Sequence, residues 1–337
     1  MTKSHRCLTL LAAASLSLIL AACGGGSGDS SPVSATPSTA SQQLAREPGA
    51  PQFTDNTASD GFSWFNFRRQ QMGLAAVARN PYIDIAAQWH SDYQAVNNVI
   101  THDEDRSKLG FKGVEGCPDP LRQPPIPVEE SRMWIAGYQL IAPYACGEVI
   151  SAMSDASGFS AADALITAIY HRFVIFEPMF RDAGVGAASV ASSRTYFTTD
   201  FGTTKGLGSG LASGTVAVYP YPNQQQLPTS FDHGTEAPDP LPEAQYPQYK
   251  NVIVGYPISV HANITSTIGV QTFTVSQGGT ALPARLLSSI TDPKNTTPST
   301  AAIIPYAPLA PATTYDVRFI GQVNGLPVDR AWSFTTR

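Results

Sequence analysis

Apolar residues recur at helical spacing in the first half of the chain. Asn80 followed by Pro81 is typical of a helix start, because Asn caps free backbone amides and proline fits the first helical position. The apolar residues that then share one helical face are Ile85, Trp89, Tyr93, Val96 and Ile100. Ser160 and Asp163 match a capping pattern and predict a second helix that ends at Pro178.

Weaker patterns predict the other elements of this half. One helix is predicted over residues 62–79 and a short one over residues 128–139. Three β-like runs follow, at residues 184–190, 195–201 and 215–219. Helices followed by a small sheet predict an α+β layered domain over residues 56–220.

The remainder of the chain changes to alternation of apolar and polar residues. Residues 221–247 are rich in proline and predict a connector. Short strands are then predicted at residues 258–260, 270–275, 303–304, 315–319 and 332–334. This spacing predicts a small all-β sandwich over residues 248–337. Two runs, L-x-P-x-T-x-Y ending at Tyr315 and S-F-T-T ending at Thr336, resemble bacterial Ig-like modules, which more often act as spacers or adhesion domains than as catalysts.

The N-terminal residues have the features of an export signal. Lys3 and Arg6 precede an apolar run over residues 8–22, so residues 1–22 are predicted to be a signal peptide. The ending Leu-Ala-Ala before Cys23 resembles the lipobox of bacterial lipoproteins, which implies cleavage before Cys23 and a diacylglycerol on its sulfur. An ordinary secretory peptide cleaved nearby is the alternative. Residues 23–55 are rich in Ser, Gly and Pro and predict a flexible tether.

Composition limits the classes of partner. The 337 residues carry a formal net charge of −5 and only 14% charged residues, which excludes a disordered polyelectrolyte. No block of like charges occurs, so nucleic acid is not expected as a partner. Of the four cysteines, Cys7 leaves with the signal and Cys23 takes the lipid, so Cys117 and Cys146 are predicted to form a disulfide in an oxidising compartment.

Motifs for nucleophilic or nucleotide chemistry are absent from the sequence. The spacing around Gly206 fits neither a nucleophile elbow nor a dinucleotide loop, and there is no Walker sequence. Residues 103–105, Asp-Glu-Asp, are interpreted as a solvated acidic turn. The remaining candidates for chemistry are His102, Glu148 and His171.

These three residues stand in a recognisable order. The helical run A-x-x-H-S-x-x-x-x-x-N ending at Asn97 leads to His102, and Cys-Gly-Glu-Val, Tyr-His-Arg and Gly-Val-Gly follow. This order resembles the bacterial branch of the CAP superfamily, also called the SCP/PR-1 family. Glu148 stands where the family has the Glu of Gly-Glu-Asn, but Val149 replaces the Asn. The family's second glutamate has no clear equivalent, so its tetrad becomes a triad.

The resemblance implies a CAP-like α-β-α sandwich with His102, Glu148 and His171 facing a shared cleft. Two imidazoles and a carboxylate could hold Zn²⁺ or another divalent cation with a position left for water. Because one acid of the family's set is missing, a binding role is favoured over an enzymatic one. The chain is accordingly predicted to be an exported, lipid-anchored protein of the bacterial cell envelope, at the outer membrane in a two-membraned cell.

Two alternatives to ligand binding stay open. The first is a metal-assisted hydrolase that acts on peptide or cell-wall material. The second is a surface adhesion or scaffold protein, in which the Ig-like module makes the contact. The ligand in the binding hypothesis is a lipid, a cell-wall component or a protein.

Overall fold

Helices and strands alternate with long loops in the computed structural model, which describes residues 39–118, 123–190 and 194–337. Cys23 and the predicted signal peptide lie outside the described residues. The α-helices are α1 (Thr39–Ala45), α2 (Thr57–Gln71), α3 (Pro81–Asn97), α4 (Arg132–Ile135), α5 (Gly158–Thr167) and α6 (Ile169–Ile175). Single 3₁₀ turns occur at Val128–Glu130, His233–Thr235 and Pro247–Tyr249.

The strands fall into two groups along the chain. Those of the first half are β1 (Ala78–Arg79), β2 (Ala145–Met153), β3 (Asp182–Val190), β4 (Arg194–Thr203) and β5 (Ala217–Tyr219). Those of the second half are β6 (Gln224–Leu227), β7 (Ser230–Phe231), β8 (Val254–Gly255), β9 (Ile258–His261), β10 (Ile268–Gln277), β11 (Thr280–Ala281), β12 (Ala284–Leu287), β13 (Thr300–Pro305), β14 (Thr314–Val323) and β15 (Leu326–Thr336). The mixture of helices and sheets confirms the predicted α+β class.

The first sheet has the order β1-β3-β4-β2, with helices packed on it. Helix α3 lies directly on β3, where a Cβ added to Gly184 would be 2.2 Å from the backbone N of Asp84 and one added to Gly186 would be 2.3 Å from that of Gln88. Helix α2 packs against Phe197 of β4 through Gly61. The two glycines of β3 therefore allow the close approach of α3 to the sheet.

Helix α3 begins as predicted, with Asn80 as N-cap and Pro81 in the first turn, but part of the predicted apolar face points outward. Ile85, Val96 and Ile100 are 40%, 53% and 57% exposed. Ile83 and Tyr93 are buried, and the other buried residues of the helix are small or polar. Among them, Ser91 donates a hydrogen bond to the hydroxyl of Thr198. Small residues are needed on this side because the helix lies so close to β3.

The second predicted helix starts earlier than expected. Ser157 rather than Ser160 is the N-cap of α5, and the helix ends at Thr167, where Ala168 turns the chain into α6. Asp163 has no capping role, since its carboxylate accepts a hydrogen bond from the indole N–H of Trp64. The helix predicted over residues 62–79 is α2, which ends at Gln71.

The predicted alternating strands of the C-terminal half form two larger sheets. One has the order β11-β10-β14-β15-β6 and the other the order β12-β13-β9-β5. Along β14, Tyr315, Val317 and Phe319 are buried while the intervening residues are exposed. β6 lies within the proline-rich residues 221–247, and it pairs in parallel with β15. β5 pairs with β9, so the end of the first half contributes a strand to this second layer.

Residues 39–55 pack on the folded body, although the sequence predicts a flexible tether as far as residue 55. Leu44 and Phe53 pack against the main core, and the ring of Phe53 meets that of Phe159 edge-on. The Glu47 carboxylate receives two hydrogen bonds from the guanidinium of Arg68, at 2.6 and 2.7 Å. Scattered apolar residues and one paired acid are thus sufficient to attach this segment.

Candidate functional site

His102 and Glu148 meet beside an open cavity. Nδ1 of His102 is 2.8 Å from Oε1 of Glu148, while the imidazole is 55% exposed and the carboxylate is buried. The other oxygen, Oε2, accepts a hydrogen bond of 2.6 Å from the buried guanidinium of Arg132. Glu148 is held by β2, and Arg132 opens the short helix α4. A buried ion pair therefore fixes the orientation of an exposed imidazole.

Arg132 is tied to the surrounding loops as well as to Glu148. Its guanidinium donates to the backbone oxygen of His102 at 3.1 Å, and its Nε lies 3.7 Å from Oε1 of Glu104. Glu104 is fully buried, so the predicted solvated acidic turn is wrong for this residue, although Asp103 and Asp105 are exposed. Glu104 is buried because Arg132 and His90 supply polar partners for its carboxylate.

His90 links this network to helix α3. Its Nδ1 is 2.9 Å from Glu104 and its Nε2 is 2.6 Å from the backbone oxygen of Thr101. The ring is fully buried and stacks on Tyr93. His90 therefore anchors the loop that carries His102, and it is itself closed to solvent.

Two carboxyl groups lie opposite each other on neighbouring strands. Glu148 of β2 pairs with Asp200 of β4 in the register of the sheet, and a Cβ added to Gly116 would collide with both carboxyls. Burial by itself would raise the pKa of Glu148, but the charges of Arg132 and His90 and the hydrogen bond with His102 hold that pKa below its usual range. Burial and the charge of Glu148 raise the pKa of Asp200 well above its usual value. The surroundings therefore favour the ionised form of Glu148 and the neutral form of Asp200.

The pKa of His102 follows from the same contacts. Partial burial lowers it, whereas the hydrogen bond and the charge of Glu148 raise it, and the net effect is a pKa above the ordinary 6.5. When the ring is neutral, donation from Nδ1 to Glu148 leaves Nε2 as an acceptor; when it is protonated, Nε2 becomes a donor. His102 can thus exchange a proton or bind an acceptor at the cavity.

The cavity beside His102 has a volume of about 580 Å³. It is lined by Thr101, His102, Asp103, Glu115, Gly116, Cys117, Pro118, Cys146, Gly147 and Glu148. Cys117 and Cys146 form the predicted disulfide, which joins the loop before residue 119 to β2. The lining residues that the structure describes include no serine, and the two cysteines among them are bridged, so these residues offer no activated thiol or serine nucleophile.

His171 lies elsewhere and does not line this cavity. It stands in the first turn of α6, where its Nδ1 is 3.2 Å from Oε1 of Glu236. The Glu236 carboxylate also accepts hydrogen bonds from the backbone amides of Ile169 and Tyr170, at 2.8 and 2.6 Å. The expected cleft with His102, Glu148 and His171 is thus replaced by a His102–Glu148 pair at the cavity and a His171–Glu236 pair at the base of α6.

No group of three or more His, Cys, Asp and Glu side chains in the described part of the chain is arranged to hold a metal ion. Glu148 directs its two oxygens to His102 and Arg132, and Arg132 occupies the position beside the carboxylate that a cation would need. The described residues therefore do not fit the Zn²⁺ site that the resemblance implies.

Sequence reasoning missed four members of the network, namely His90, Glu104, Arg132 and Asp200. Of these, His90 belongs to the motif that carries the resemblance, and Glu104 belongs to the acidic run interpreted as solvated. Arg132 lies within the short helix predicted over residues 128–139, where no motif marks it, and Asp200 is identified only when the register of β2 and β4 is known.

Comparisons with known proteins leave the family open. No protein-family model matches this chain, and no curated protein matches it. A solved extracellular protein containing an SCP domain, from Bacillus anthracis, is similar to it at 19% identity, with a TM-score of 0.32 over 43% of this chain and 39% of that one. An outer surface protein from Borrelia burgdorferi is similar at 12% identity, with a TM-score of 0.33 over 43% of this chain and 90% of that one. The chain thus spans well under half of the Bacillus protein.

A search for membrane-crossing helices in the described ranges finds none of sufficient length and apolar character.

Proposed function

We propose that this chain is an exported protein of the cell envelope with a CAP-like α-β-α sandwich, followed by an Ig-like sandwich, and that it binds a ligand in the cavity beside His102. The observation that carries the proposal is the exposed imidazole of His102, held in place by the buried pair of Glu148 and Arg132. Burying an ion pair costs free energy, so such a pair is weak evidence for a role in stability. We therefore interpret the Glu148–Arg132 pair as orienting the exposed side chain of His102 for binding.

The ligand we propose is a polar cell-wall or lipid component with a hydrogen-bond acceptor. Protonated His102 donates through Nε2, and Glu148 supports the charge from behind. The cavity is lined mainly by polar side chains and backbone rather than by large apolar groups. An acceptor-bearing headgroup or peptide carboxylate suits this lining, because it would pair with the imidazolium.

Binding is tested with the purified full chain and two kinds of probe, soluble cell-wall fragments and phospholipid vesicles containing anionic lipid. We expect one probe to bind and His102→Ala to weaken that binding by about tenfold, the loss of one charge-assisted hydrogen bond. His171→Ala is the matched control, since it removes the histidine of the other His–Glu pair and should leave the affinity unchanged. Equal effects of the two variants, or no binding of either probe, would contradict the proposal.

The proposed anchor is a diacylglycerol on Cys23. Its support is the lipobox-like ending of residues 20–23, and Gly24 in place of Asp favours the outer membrane in a two-membraned cell. Labelling of cells with radioactive palmitate should mark the wild type and not Cys23→Ser. Absence of label from the wild type would leave only an ordinary secretory signal, and unchanged labelling of the variant would show that the lipid is not on Cys23.

A hydrolase with His102 as general base is the second candidate, and the His102–Glu148 pair favours it, because a carboxylate-oriented imidazole is the usual general base of hydrolytic enzymes. Turnover of peptides, peptidoglycan or esters that is lost in His102→Ala and in Glu148→Ala, with folding retained, would establish this activity. Absence of turnover across these substrates would exclude it in favour of binding.

A further inference from the structure

A second cavity, of about 370 Å³, lies at a different place in the fold. It is enclosed by the segment that leads from α1 into the body, by helices α2 and α5, and by the strands β5 and β6 with the loop between them. Among the residues that the structure describes, none lines both this cavity and the one beside His102. Its volume is within the roughly 300–1,000 Å³ usual for small-molecule sites.

The charged groups at the inner end of this cavity are paired with one another. The buried guanidinium of Arg68 makes a two-pronged hydrogen bond to Glu47 and lies 3.8 Å from Asp163. The same guanidinium stacks on the ring of Trp64 at 4.4 Å. An ionic ligand would have to displace one of these partners, so the inner end favours an uncharged ligand.

Three tyrosines form the aromatic part of the lining. Tyr219 and Tyr256 are buried at the inner end, where the guanidinium of Arg172 lies 4.9 and 5.0 Å from their rings. Tyr221 is half-buried nearer the opening, and its hydroxyl is held by Gln71 and Glu47. The ring of Tyr221 is therefore fixed and partly open to a ligand.

Amide side chains surround the opening. They belong to Gln43, Asn223, Gln225 and Gln226, whereas the amide of Gln224 is buried and donates to the hydroxyl of Tyr219. Each primary amide both donates and accepts hydrogen bonds. Arg46 and Arg337 also line the opening, but both are exposed, so water and salt screen their charges.

We propose that this cavity binds a saccharide unit of one or two rings. A pyranose presents an apolar C–H face, which suits the open ring of Tyr221, and adjacent hydroxyls that donate and accept in pairs, which suit the amides. A purely apolar ligand would remove water from these amides without replacing their hydrogen bonds, which is unfavourable. Glu47 and Leu44 form one wall, so the site depends on the packing of the segment before residue 55.

The test uses the full chain and three disaccharides, N,N′-diacetylchitobiose, cellobiose and maltose, with saturation-transfer NMR and calorimetry as readouts. At least one should bind. Tyr221→Ala should weaken binding roughly tenfold, from the loss of ring stacking, and Gln225→Ala about fivefold, from the loss of one hydrogen bond. Gln277→Ala is the matched control, because it removes an exposed glutamine of β10 outside this cavity.

His102→Ala should leave saccharide binding unchanged, which separates this proposal from the one for the His102 cavity. Circular dichroism of each variant checks that the fold is retained. If Tyr221→Ala unfolds the chain, Gln225→Ala carries the test, and Tyr221→Phe, which keeps the stacking ring, should retain most of the affinity. Failure of all three disaccharides to bind with a dissociation constant below about 10 mM would overturn the proposal. So would equal affinity of Gln225→Ala and Gln277→Ala for the saccharide, or binding of hexanol in place of a saccharide.

Discussion

The two His–Glu pairs, His102–Glu148 and His171–Glu236, consist of the same residue types but have different roles. At the cavity, the Glu148 carboxylate is bound by Arg132, and the imidazole of His102 stands in solvent. At the base of α6, the Glu236 carboxylate is bound by backbone amides, and the imidazole of His171 is largely buried against it. The group that binds the carboxylate therefore differs between the two pairs, and only the pair bound by Arg132 leaves its imidazole exposed to solvent.

The contrast shows why a histidine near an acid is weak evidence for a site. Glu236 satisfies free amides at a helix start, so its pair with His171 strengthens the junction between α6 and a loop about 65 residues later in the chain. Glu148 satisfies a buried cation, and its remaining hydrogen bond goes to an exposed ring. The arrangement at Glu148 therefore leaves the imidazole of His102 available to a ligand.

The largest effect is expected from Glu148→Gln. The change keeps the volume of the side chain and leaves the buried Arg132 without its closest anion, so we expect the free energy of unfolding to fall by about 3–5 kcal/mol. Urea unfolding followed by circular dichroism at neutral pH measures the loss.

The matched control is Asp200→Asn, directly across the sheet from Glu148. Because burial and the charge of Glu148 raise the pKa of Asp200 and so favour its neutral form, its replacement by an amide of the same shape should cost less than about 1 kcal/mol. Equal losses of unfolding free energy in the two variants would show that the negative charge is not concentrated on Glu148. The contrast drawn above between the two His–Glu pairs would then be contradicted.

The cavity also has a covalent constraint that the His171 pair lacks. The disulfide of Cys117 and Cys146 closes a loop with a sequence separation of 29. Replacing both with serine should lower the stability by roughly 3–4 kcal/mol on the chain-entropy model. Thermal unfolding of the double variant tests this, and mass spectrometry of non-reduced peptides should link the two cysteines in the wild type. Free thiols at both positions would refute the assignment.

Removing the carboxylate of the other pair should have an intermediate effect. Glu236→Ala leaves the amides of Ile169 and Tyr170 without acceptors, and we expect a loss of about 1–3 kcal/mol. Ligand binding beside His102 should be unaffected, since Glu236 does not line that cavity. A loss of ligand affinity in this variant would mean that the two pairs are coupled, contrary to their separation in the structure.

Local signals predicted the parts of the fold that depend on neighbouring residues. The start of α3 depends on Asn80 and Pro81, and the alternation along β14 depends on one sheet face being buried. β2 was not predicted, because its residues are half-buried on both faces and show no alternation. β6 was hidden in a proline-rich segment, and its pairing with β15 depends on residues more than 100 positions later.

The candidate site could be predicted only in part, because only some of its residues stand in local sequence motifs. His102 and Glu148 stand in motifs that can be read locally, whereas Arg132 reaches Glu148 through the path of a loop and Asp200 through strand register. His171 also stands in a motif, but its position is decided by Glu236, which no local pattern connects to it. The apolar face of α3 shows the same limit, since the glycines of β3 decide which side of the helix is buried.

The smallest effect, and the finest measure of the difference between the two pairs, is the pH dependence contributed by His102. Its pKa in the folded chain is above 6.5, so its pairing with Glu148 stabilises the fold fully below that pH and is lost as the pH rises through the folded pKa. Glu148 has a pKa below its ordinary 4.5, so it stays ionised across this range and its own contribution is lost only in stronger acid. The difference in unfolding free energy between wild type and His102→Gln should therefore be greatest near about pH 5.5 and decline in alkali. We expect a difference of about 0.5 kcal/mol or less, because the ring is more than half exposed.

NMR titration of the His102 ring gives the pKa directly, and in Glu148→Gln that pKa should fall, since burial and Arg132 then act without the opposing carboxylate. A His102 pKa that is the same in wild type and Glu148→Gln would show that the ring does not depend on the buried carboxylate.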